Sequence, residues 1–80
     1  MKLTIQVLDH AGISEIVDAA LEGKNIDFCV FPHTLDDRVF LVGRELEARD
    51  IDYVIPNKEE WGEMFVLENN AYIKFFTSGY

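Results

Sequence analysis

Residues 3–31 read Leu3-Thr4-Ile5-Gln6-Val7-Leu8-Asp9-His10-Ala11-Gly12-Ile13-Ser14-Glu15-Ile16-Val17-Asp18-Ala19-Ala20-Leu21-Glu22-Gly23-Lys24-Asn25-Ile26-Asp27-Phe28-Cys29-Val30-Phe31, and the spacing of their apolar residues changes twice. Leu3, Ile5 and Val7 alternate with Thr4 and Gln6, the period of a strand with one buried face. Ile13, Ile16, Val17, Ala20 and Leu21 then fall at i, i+3, i+4, i+7 and i+8, the stripe of an amphipathic helix. Asp9 or His10 can begin this helix, and Gly23 stands where a left-handed residue ends one. Ile26 to Phe31 is almost continuously apolar, as in a strand covered on both faces, and Pro32 stops it. Strand, helix and strand in this order make a right-handed parallel unit when the strands share a sheet.

Downstream, Thr34 with Asp37 three residues on is a candidate N-cap and weak capping box. Leu35, Val39, Val42 and Leu46 mark a second helical stripe, with Arg44, Glu45, Glu47 and Arg49 outward. Residues 39–42 are also four apolar residues in a row, so a strand competes with a helix there. Glu45-Leu46-Glu47-Ala48-Arg49 favours helix. Ile51, Tyr53 and Ile55 alternate with Asp52 and Val54, which predicts a third strand closed by Pro56-Asn57. Glu63 to Leu67 and Ala71 to Phe76 flank Glu68-Asn69-Asn70, and Asn tolerates the left-handed conformation of a tight turn, so a hairpin follows. The expectation is an α+β fold, a single two-layer domain over residues 1–80. Its order is β-α-β-α-β-β-β, with a mixed sheet ending in a C-terminal antiparallel hairpin and the helices on one face or one on each.

At 80 residues the chain buries only about 60% of the surface its unfolded form exposes. Its 49% hydrophobic and 28% charged residues argue against disorder. Fifteen Asp and Glu against seven Lys and Arg give a net charge of −8. That balance excludes general nucleic-acid binding, which needs basic groups to displace phosphate counterions, and docking on anionic membranes. No apolar run approaches the ~18 residues of a membrane span, and the N-terminus lacks a signal-type core. The chain starts at Met1 with no tag or low-complexity tail and reads as a complete small gene product. With one cysteine, Cys29, it can form no internal disulfide, which suits a reducing cytoplasm.

Few residues point to chemistry. Cys29, inside an apolar strand, reads as a small inert hydrophobe. The outline from Phe28 to Tyr53 resembles the strand-helix-strand of glutaredoxin-like proteins. Pro32-His33-Thr34-Leu35 stands where those proteins carry reactive cysteines, so the outline is generic topology. Asp9, His10 and His33 leave the carboxyl edge of the sheet if the first two strands are parallel neighbours, where they would make a small metal or acid–base site. Their spacing matches no metal motif, and their plain reading is a helix cap and two solvated loops. No metal, cofactor or catalytic residue is therefore assigned, and an enzyme is not expected.

The charge itself is the stronger feature. Residues 1–33, 34–50 and 51–80 carry −3, −2 and −3, so no tail holds it. Glu15, Asp18 and Glu22 share one helical face at i, i+3 and i+7, an arrangement that costs stability when unpaired. Asp36-Asp37 and Glu59-Glu60-Trp61-Gly62-Glu63 have only Arg38 and Lys58 beside them. Trp61 reads as an exposed anchor between acids. These residues predict a binding surface for another protein with a basic patch. In its sharper form the chain is a phage-type inhibitor whose carboxylates mimic nucleic-acid phosphates at a basic groove. The plain alternative is solubility, since magnitudes of about 2–8 are ordinary for small domains. A homo-oligomeric accessory protein, joined through sheet edges such as the hairpin's last strand, is the third reading, so the chain is expected to be a monomer or a homodimer.

Overall fold

A computed structural model describes residues 3–56 and 63–77. The elements run β1 (Thr4–Leu8), α1 (Ile13–Leu21), β2 (Asn25–Val30), a 3-10 turn (Pro32–Thr34), α2 (Leu35–Ala48), β3 (Tyr53–Val54), β4 (Met64–Leu67) and β5 (Tyr72–Thr77). The order β-α-β-α-β-β-β and the mixed α+β architecture expected from the sequence are both present.

The five strands form one sheet in the order β1-β2-β5-β4-β3. β1 and β2 are parallel neighbours, from Thr4 opposite Asn25 to Leu8 opposite Cys29. β5 lies parallel on the other side of β2 and antiparallel to β4, which pairs antiparallel with β3. The hairpin's last strand is therefore central, not an edge, because β2 takes up its outer hydrogen bonds. The edges are β1 and the two-residue β3.

Both helices cover one face of this sheet. Ile16, Val17 and Ala20 of α1 and Val42 and Leu46 of α2 pack on Ile26, Phe28 and Val30 of β2, with Phe65, Leu67, Ile73 and Phe75 completing the core. Four aromatic rings run across the sheet beneath the helices. Centroids are 5.5 Å apart for Phe28–Phe75, 6.0 Å for Phe65–Phe75 and 5.1 Å for Tyr53–Phe65. The strand β2 is thus covered on one face only, alternating half-buried and buried along its length. Asn25, Asp27 and Cys29 supply the uncovered side. Cys29 is half-buried there and accepts a hydrogen bond from Gln6 Nε2 at 3.2 Å, rather than lying inside the core.

Residues 39–42 are helical. Val42 is buried and Val39 half-buried, while Phe40 and Leu41 between them are exposed, so the apolar run straddles two faces of α2. Gly43 is buried on that helix, and a Cβ built there would meet Phe65 at 3.5 Å, an ordinary contact. Gly43→Ala is accordingly expected to stabilise the protein by about 0.5–1 kcal/mol, since Ala loses less freedom in a helix. A higher melting temperature would show this, and a lower one would mean that Phe65 cannot give way.

Both helices end in the same motif. Gly23, at φ 95°, follows α1, with Gly23 N–H bonded to Ala20 O and Lys24 N–H to Ala19 O. Asp50, at φ 59°, follows α2 in the same way, with its own N–H on Glu47 O and Ile51 N–H on Leu46 O. The second motif shortens the third strand from the expected 51–55 to Tyr53–Val54, because Ile51 N–H is committed to the helix end. A non-glycine residue at positive φ is strained, so Asp50→Gly is expected to change stability by less than about 1 kcal/mol, relief of strain offsetting added chain entropy. Urea denaturation measures this, and a larger loss would reveal a role for the Asp50 carboxylate. The hairpin turn closes similarly, with Asn70 at φ 70° and Leu67 N–H on Ala71 O at 2.9 Å.

Candidate functional site

The carboxyl ends of β1 and β2 bring Asp9, His10 and His33 to one edge of the sheet, as the parallel pairing requires. Asp9 does not cap α1. The N-cap is Gly12, which has no side-chain cap bond, and Asp9 turns instead toward the β2–α2 connection. Its Oδ1 accepts from Arg38 Nε at 2.6 Å, and its Oδ2 accepts from Thr34 Oγ1 at 2.9 Å and Phe31 N–H at 3.4 Å. Thr34 consequently gives α2 no side-chain cap, its hydroxyl being used by Asp9 and Phe31 O. Burial pushes the Asp9 carboxyl up, but the hydrogen bonds from Arg38, Thr34 and Phe31 outweigh it and hold the group below its ordinary 3.8. His33 stacks on Phe31, with ring centroids 5.7 Å apart and planes at 17°. His10 and His33 are both exposed. Among the described residues no three acidic, histidine or cysteine side chains gather closely enough to hold a metal ion.

The acidic row on α1 is on one exposed face, but it is not left uncompensated. Asp18 pairs with Arg49, which also holds Glu45 at 2.7 Å and Ser14 Oγ at 2.6 Å. The hydrogen bonds from Arg49 to Asp18 and Glu45 raise the guanidinium's pKa further and tie α1 to α2. Glu22 pairs with Lys24 at 3.0 Å. Glu15 has no ion pair among the described residues. Asp36 and Asp37 stand exposed on the first turn of α2, where the helix dipole favours negative charge. Arg38 beside them pairs with Asp9 through Nε alone. Glu63 is half-buried at the start of β4, and Glu59, Glu60 and Trp61 lie outside the described residues.

Two features were not readable in advance. Asp52 and Glu68, on the α2–β3 connection and the hairpin turn, come together carboxyl to carboxyl, and the nearby Asp52 raises the Glu68 pKa. The second is the uncovered sheet face, where Leu8, Cys29 and Phe76 lie side by side in register. Parallel strands usually have both faces covered, so this exposure is unusual.

No family model matches the chain, and no curated protein or solved structure matches it significantly. Among the described residues no helix is long and apolar enough to cross a membrane.

Proposed function

We propose that this protein acts by binding another protein that offers a basic surface. What supports the reading is how charge is distributed. Lys2, Lys58, Glu59 and Glu60 cancel, so the described residues carry the whole −8. Every described Lys and Arg is engaged. Lys24, Arg38 and Arg49 form ion pairs, while Arg44 lies 5.6 Å from the Phe40 ring and Lys74 5.0 Å from the Phe76 ring. Exposed Glu15, Asp36, Asp37 and Glu47 therefore project a negative field with no described cation paired to them. Such a field steers association and fixes orientation on a positive partner.

The sharper proposal is an inhibitor, of the kind phages encode, whose carboxylates take the place of phosphates in a basic nucleic-acid-binding groove. Within the acidic set, Glu15, Asp36 and Asp37 carry more of the effect than Asp18 and Glu22, whose charges are answered within the molecule. The test is a pull-down with the immobilised protein against the Glu15→Lys, Asp36→Lys, Asp37→Lys triple variant. Captured proteins are expected to be basic nucleic-acid binders. They should release at 1 M salt, where screening acts over about 3 Å, and be lost with the triple variant. Circular dichroism guards against unfolding. Equal capture by the folded variant would remove these residues from the interface.

A further inference from the structure

Between the ends of β1 and β2 and the first turns of α2 lies an open-sided concavity of about 500 Å³. Small organic ligands occupy pockets of roughly 300–1,000 Å³ with apolar walls and a few convergent polar groups. Its walls are Leu8, Cys29, Val30 and Phe31, and Asp9, His10 and Arg38 supply the polar side. Phe31 is 49% exposed and backed by the stacked His33 ring, which makes a firm flat platform. The site lies at the carboxyl ends of parallel strands, the usual ligand edge of an open α/β sheet.

Arg38 decides the ligand's chemistry. Its Nε is held by Asp9 at 2.6 Å, which fixes the guanidinium, while its side chain remains 31% exposed. Neither Nη atom donates to a described residue. Asp9 directs its oxygens to Arg38, Thr34 and Phe31 N–H, so the pair leaves a positioned, unfilled donor fork beside an apolar wall. We propose that this concavity binds a small organic anion with a flat apolar body, its carboxylate on the Arg38 fork and its ring against Phe31. The proposal is independent of the acidic surface, since none of Glu15, Asp36 or Asp37 lines the concavity.

Titration of the 15N-labelled protein with 2-naphthoate, followed by amide shifts, tests it. Saturable shifts are expected at Asp9, His10, Phe31 and Arg38. Arg38→Lys keeps the charge beside Asp9 but loses the fork, and is expected to weaken binding about tenfold. The neutral 2-naphthalenemethanol should be weaker by a similar factor. A melting curve establishes that the Lys variant is folded. Three results would each overturn the proposal: no saturable shifts at these residues, equal binding of the neutral compound, or shifts centred instead on Val54 and Ile55, exposed apolar residues outside the concavity.

Discussion

Phe28→Ala is expected to lower stability by about 3–5 kcal/mol, the usual cost of removing a buried phenylalanine ring. Phe28 is 0% exposed. Its strand is flanked on both sides, with Val7 opposite on β1 and Phe75 on β5. Its ring contacts Phe75, which contacts Phe65, which meets Tyr53, so the loss opens one end of a continuous aromatic row. A cavity there is hard to close, because the strands are hydrogen-bonded on each side and both helices already rest on the same face. A domain of this size has roughly 4–12 kcal/mol to lose at 0.05–0.15 kcal/mol per residue. The urea midpoint should therefore fall by a quarter or more while the slope stays unchanged. A loss below about 1 kcal/mol would mean that the row of rings does not organise the core.

The second large effect falls on Asp9. Asp9→Asn removes the charge from hydrogen bonds that join the end of β1 to Phe31, Thr34 and Arg38, and the side chain is only 12% exposed. A loss of about 2 kcal/mol is expected, in line with charge-assisted bonds of about 1.5–3 kcal/mol. The pH dependence has a definite sign. The folded carboxyl titrates below its unfolded value of 3.8, so its contribution is complete above that pH and is lost as pH falls through the folded pKa. Wild type and Asp9→Asn should therefore differ by a constant amount near neutrality and converge below about pH 4. A difference that persists at lower pH would assign the effect to packing rather than charge.

How much of this was legible depended on sequence distance. The change of period between Leu3 and Phe31 placed both strands and the first helix within a residue or two, because each period is local. Gly23 announced the end of α1, whereas Asp50 ends α2 through the same geometry with no glycine to signal it. The α1 period correctly put Glu15, Asp18 and Glu22 on one exposed face, but Arg49, which answers Asp18, is 31 residues away. Asp9 looked like a cap because caps are local, and its true partners lie 22, 25 and 29 residues on. The one-sided covering of β2 was present in the pattern, since Asn25, Asp27 and Cys29 alternate with Ile26, Phe28 and Val30. The apolar weight of the stretch concealed it. Strand order was beyond any local signal, because it is fixed by pairing between distant segments.

The central place of β5 has a consequence for synthesis. β1 and β2 form one half of the sheet, β3 and β4 the other, and among the described residues only 72–77 pair with both halves. A chain emerging from the ribosome would hold two incomplete half-sheets, each with an unpaired strand flank, until that segment arrived between them. Folding is then gated by the last described strand. A nascent chain stopped before Tyr72 is the form most exposed to proteases and to pairing with the wrong neighbour.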